Sequence, residues 1–122
     1  MKSAQSLSHN DAARIVDAIR SELEAHQKGA AIAVVDPHGE LLAFLRTDEC
    51  RLPSVAIAIN KAYTAAREQL ESGELGERSR AEDFPMTNFG ELRYVTWGGG
   101  VPIKLDGHTI GAVGVSGLPE EE

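Results

Sequence analysis

Apolar residues recur at helical spacing through Ala12, Ile15, Val16, Ile19 and Leu23. Ahead of them, Ser8-His9-Asn10-Asp11 has the spacing of a capping box, with Asp where Glu is commoner. Lys28-Gly29 supplies a stop, so the pattern predicts an amphipathic helix over 9–27. The period then changes. Residues 30–36 form a short apolar run with β-branched side chains, as in a buried strand. Asp36-Pro37-His38-Gly39 is a turn, because Pro presets φ at its second position and Gly closes it. Residues 40–46 return as the partner strand of a hairpin. Pro53 suits a first helical position. From there Val55, Ile59, Ala62, Tyr63, Ala66 and Leu70 share one face to about residue 70.

No period survives in 71–90, where Gly73, Gly76, Pro85 and Gly90 are interspersed with charges. The expectation there is a loop of about twenty residues, long enough to be functional or mobile. Residues 92–97 read as a strand broken at Gly98-Gly99-Gly100. Residues 101–105 and 108–115 flank Asp106-Gly107, a strong hairpin signal. The order α-β-β-α-β-β-β predicts a single α+β domain over 1–122 with an antiparallel sheet.

Composition narrows the function classes. With 42% hydrophobic residues and 122 residues in all, the chain suits one folded core. A net charge of −7 argues against nucleic acid and anionic membrane as partners. That charge is local. Residues 68–83 hold six acids against two bases, and Glu120–Glu122 add three more acids, while the remaining segments balance. A small anionic ligand therefore remains compatible with the chain. The single cysteine, Cys50, excludes an intrachain disulfide. The first residues lack the apolar stretch of a signal peptide, and no run suits a membrane span, so the cytoplasm is the expected compartment.

The candidate chemistry is sparse. Gly98-Gly99-Gly100 precedes a strand rather than a helix, which disfavours a nucleotide cradle. Its backbone can instead permit a bulge or offer N–H groups to a carboxylate. Lys61 interrupts an apolar helix face. There it can anchor an anion, act as a base, or carry its ammonium past a buried stem to water. Trp97, with Phe84, Phe89 and Tyr94 nearby in sequence, offers either core packing or a flat wall for a planar ligand. Four histidines occur without a metal-ligand pair. A single haem ligand needs only one imidazole. Arg46 and Asp36 end the two strands of the first hairpin.

Four segments together resemble the GlcG/HbpS family, which includes the C-terminal domain of PduO. They are Ala33-Val34-Val35-Asp36 through Arg46, Lys61-Ala62-Tyr63-Thr64-Ala65, Gly98-Gly99-Gly100-Val101-Pro102-Ile103, and Gly107 through Gly117. The resemblance covers about residues 10–119. It implies a profilin-like α/β/α fold with a five-stranded antiparallel sheet, and a homo-oligomer, tetramer or octamer. It also implies a last helix, which is expected to be missing or short because the sequence ends at Glu122. By the same resemblance the ligand is haem or a related tetrapyrrole. His26 would then be its axial metal ligand, Arg46 and Lys61 would pair with propionates, and Trp97, Gly98, Gly99 and Gly100 would line the site. The rival expectation is an isomerase- or lyase-like enzyme for a small carboxylate, with Lys61 catalytic.

Overall fold

The computed structural model describes residues 5–84, 86 and 91–118. Its elements are α1 (His9–Ala25), β1 (Ala31–Val35), β2 (Leu41–Arg46), α2 (Ser54–Glu68), α3 (Ser72–Ala81), β3 (Gly100–Leu105) and β4 (His108–Ser116). The four strands form one antiparallel sheet in the order β2-β1-β4-β3. Among the described residues, no helix is long and apolar enough to cross a membrane.

Local signals account for most element ends. The Ser8 hydroxyl accepts the Asp11 N–H at 3.0 Å, and the Asp11 carboxylate accepts the Ser8 N–H at 3.3 Å. Leu7 and Ala12 pack together across this cap, so polar and apolar contacts both fix the start of α1. At its other end Gln27 is left-handed, with φ 56°, and the Lys28 N–H reaches back to the Leu23 carbonyl at 2.9 Å. In the β1–β2 turn, one Asp36 carboxylate oxygen accepts the N–H groups of His38 and Glu40, at 2.8 and 3.0 Å.

The sheet has a helix layer on each face because alternate strand residues point opposite ways. Ala31, Ala33, Val35 and Ala112 meet Ala58, Ala62, Ala65 and Ala66 of α2. Ile32 and Val34 face the other way, towards Val16, Ile15, Ile19 and Leu23 of α1. The α2 interface is built from small residues, and Gly114 lets the helix backbone lie directly on β4.

Two expectations are corrected. Residues 71–90 do not form one loop, because Ser72–Ala81 is helical. Its apolar content is low, and Gly73 and Gly76 look like breakers, each costing about 1 kcal/mol against Ala in a helix. Gly76 is required by packing: a Cβ there would lie 2.9 Å from the Thr96 carbonyl carbon and closer still to its oxygen. Residues 92–97 do not join the sheet, which among the described residues has four strands, so the expected fifth strand is not found at 92–97. Side-chain hydroxyls satisfy this segment instead. Thr64 accepts the Val95 N–H at 2.8 Å, and Ser72 donates to the Trp97 carbonyl at 2.6 Å. The expected last helix would fall at 119–122, outside the described residues, as does Phe89.

Candidate functional site

The second helix carries Lys61 on the face that meets β4 and the start of β3. Lys61 is only 4% exposed, since Ala58, Ala62 and Ala65 hold that face against the sheet. Its ammonium donates to the Val115 carbonyl at 3.1 Å and lies 5.9 Å from the centre of the Trp97 ring, within cation–π range. Above it runs the glycine segment. Gly99 has φ +121°, and a Cβ there would stand 2.7 Å from the Lys61 Nζ. Gly99 is thus required both by its backbone conformation and by the ammonium beneath it. The Val115 N–H bonds the Gly99 carbonyl at 2.9 Å, which seats the segment against β4. Trp97 is 47% exposed, so one part of its ring meets Lys61 and another faces solvent.

The structure therefore brings Lys61, Trp97, Gly98, Gly99 and Gly100 together. Arg46 is not among them. It lies exposed at the end of β2, the opposite edge of the sheet, three strand spacings or about 14 Å from β3. His26 is elsewhere too. It follows α1, on the far face of the sheet from α2, and its Nε2 sits 3.1 Å from a Glu22 carboxylate oxygen. Phe84 is half-exposed beyond α3. Tyr94 has its ring centre 6.1 Å from that of Tyr63, and its hydroxyl donates to Glu68 at 2.6 Å.

Tyr94 belongs to a second polar cluster that sequence patterning did not identify. The buried Tyr63 hydroxyl donates to Glu91 at 2.8 Å and accepts from Arg93 at 2.8 Å. The Arg93 guanidinium lies 4.0 Å from the Tyr63 ring centre and that of Arg67 lies 5.0 Å from it. Hydrogen bonds from Arg93, then from Tyr63, hold the Glu91 carboxyl down at about 2. Burial, followed by the bond to Glu91, pushes the Tyr63 hydroxyl up. Burial and Glu68 do the same to Tyr94. Both phenols stay protonated at neutral pH, so this cluster donates and braces rather than acting as a base. The one signal available in sequence was Tyr63 on an apolar helix face; its partners lie about 30 residues away.

No group of three or more His, Cys, Asp or Glu among the described residues is placed to hold a metal ion. What the fold and site define is a helix-flanked antiparallel sheet with a buried lysine under a glycine-rich, tryptophan-bearing segment. Such a site offers a flat aromatic face, an ammonium and backbone polar groups.

The model of the family described as "Haem degrading protein HbpS-like" matches residues 7–122, and the chain belongs to that family. Protein GlcG of Escherichia coli strain K12 is 39% identical over 122 residues, covering 95% of this chain and 85% of GlcG. Among solved structures, Klebsiella pneumoniae protein ORFY superposes with a TM-score of 0.92 at 26% identity, over 99% of this chain and 85% of that one. A PduOC complex with haem superposes with a TM-score of 0.87 at 27% identity, over 95% of this chain and 86% of PduOC.

Proposed function

We propose that the chain binds a small planar, anionic ligand, haem or a related tetrapyrrole, on the surface formed by Trp97 and Gly98–Gly100 above Lys61. The observation that carries this reading is the half-exposed indole lying against the ammonium of a buried lysine. A planar ring can stack on the indole, and the cationic site favours its carboxylates. The haem in the PduOC complex supports the ligand class. The reading takes the protein to work as a cytoplasmic homo-oligomer.

The residues fit haem unevenly. His26 supplies an imidazole already oriented by Glu22, an arrangement suited to an iron ligand. The neighbouring groove, however, is lined by Glu24, Gln27, Lys28, Thr47, Asp48 and Glu49. That acidic surface repels propionates and offers a porphyrin little apolar contact. The Trp97 site pairs an aromatic ring with the Lys61 ammonium, and its residues supply no imidazole. His26 follows α1 and the Trp97 site lies on the α2 side of the sheet, while Arg46 ends the edge strand β2. The binding role is therefore assigned to Trp97, Lys61 and the glycine segment, and His26 is kept as a separate iron-ligand candidate.

Haemin titration with Soret detection tests both. Saturable one-to-one binding that weakens about tenfold in Trp97→Ala or Lys61→Met supports the assignment. Binding unaffected by either substitution but lost in His26→Ala moves the ligand to the α1 side. No Soret change in the unmodified protein refutes haem. The second reading, an enzyme for a small carboxylate, is favoured by the burial of Lys61, which places an amine away from bulk water beside the Gly99 backbone. Undiminished turnover of such a substrate by Lys61→Met would refute it.

A further inference from the structure

The segment that carries Trp97 lies outside the strands of the sheet and runs over Lys61. Ser72, the first residue of α3, is fully buried and meets both ends of that segment. Its hydroxyl donates to the Trp97 carbonyl at 2.6 Å and accepts the Gly100 N–H at 3.0 Å. One oxygen thus closes a four-residue loop whose middle glycines have no side chains with which to restrain themselves. Gly99 carries the left-handed backbone that the closed loop requires. A Cβ on Gly100 would touch the Ser72 oxygen at 3.0 Å and the Lys61 carbonyl carbon at 2.9 Å, so the loop is also seated on α2.

We propose that Ser72 is the positioning residue of the ligand surface: its hydroxyl clasps Trp97 to Gly100 and holds the indole over Lys61. The proposal rests on the reading of Trp97 and the glycine segment as the ligand platform. Thr64 provides the natural contrast. It too is fully buried and bonds the same stretch of chain, but at Arg93 and Val95, upstream of the loop. Loss of either hydroxyl leaves a buried backbone group unsatisfied, so both substitutions lower stability. Only loss of the Ser72 hydroxyl frees the indole.

The chain has one tryptophan, so intrinsic fluorescence reports Trp97 alone. In Ser72→Ala the acrylamide quenching constant should rise about twofold and haemin affinity should fall about tenfold, whereas Thr64→Val lowers the melting temperature with quenching unchanged. Equal quenching in Ser72→Ala and Thr64→Val overturns the proposal. Should Ser72→Ala fail to fold, amide exchange in the unmodified protein decides. The Gly100 N–H must exchange at least about a hundredfold more slowly than an unstructured glycine, and exchange at the unstructured rate overturns the clasp. Absence of haemin binding by the unmodified protein refutes the ligand reading only; quenching and exchange still judge Ser72.

Discussion

Replacing Gly114 by Ala tests whether the α2 interface is as close as the geometry states. Gly114 lies in β4 between Ala33 and Gly100, directly beneath α2. A Cβ there would stand 2.6 Å from the Ala62 nitrogen and 3.1 Å from the Lys61 Cβ, with the Ala58 carbonyl oxygen nearer still. Ordinary contact begins at 3.4 Å, so the helix backbone must retreat by about 0.8 Å at Ala62. These are backbone atoms, which no rotamer change can move aside. A gap of that size forfeits a quarter to a half of the dispersion energy of the contacts it opens. It opens them along Ala58, Ala62, Ala65 and Ala66 together. Overpacking of this kind costs about 3 kcal/mol, which in a chain of this length lowers Tm by roughly 12 °C. Gly107→Ala is the control. Its Cβ would meet nothing within 4 Å, but the backbone φ of +80° is strained for alanine, at a cost of about 1 kcal/mol or roughly 4 °C. Thermal unfolding by circular dichroism measures both. A Gly114→Ala protein that melts within about 2 °C of the parent, or above Gly107→Ala, would refute the close-packing argument.

Three smaller effects can be read in chemical denaturation. Ser8→Ala removes the capping hydroxyl of α1 and should cost about 1 kcal/mol, seen as a lower urea midpoint with an unchanged slope; an unchanged midpoint contradicts the cap. Thr47→Val removes the hydroxyl that accepts the Ala30 N–H at 2.8 Å and donates to its carbonyl at 3.1 Å, and the unsatisfied N–H should cost about 1–3 kcal/mol by the same measurement. The third effect depends on pH. The folded-state value for Glu91 lies at about 2, below the ordinary 4.5, so its ionised form adds stability above pH 4.5 that is lost as pH falls towards 2. Glu91→Gln should flatten that part of the midpoint-against-pH curve, and an identical acid limb in both proteins would contradict the pairing with Arg93 and Tyr63.

The features legible in the sequence are those whose cause is local. Ser8 and Asp11 lie within one helical turn of each other, and Asp36, Gly39, Asp106 and Gly107 each make a turn with their own neighbours. The β1–β2 and β3–β4 pairings followed from those turns, whereas the β1–β4 pairing that joins the two hairpins did not. The third helix was hidden because its glycine at position 76 answers to Thr96, twenty residues away, and periodicity cannot register such a contact. The stretch 92–97 misled for a related reason. Its side chains suit a strand, but Thr64 and Ser72 supply the hydrogen bonds that a neighbouring strand would have supplied. Lys61 and the glycine segment were legible as a pair only through the order of four motifs, since 37 residues separate Lys61 from Gly98. His26 lies beyond α1 and Arg46 on the β2 edge, positions that emerge only when the layers and the sheet order are known.

The contact between Ser72 and Gly100 also bears on what the edge of β3 offers to another strand. In an antiparallel ladder each residue turns both backbone groups towards one neighbour or away from it. The Gly99 carbonyl is bonded to β4, so Gly100 and Pro102 face outward along the open edge of β3. Ser72 already occupies the first outward N–H, and proline has none to offer at the second. An incoming strand would find no donor at either position. A strand approaching this half of the β3 edge meets acceptors only, which weakens edge-to-edge pairing there.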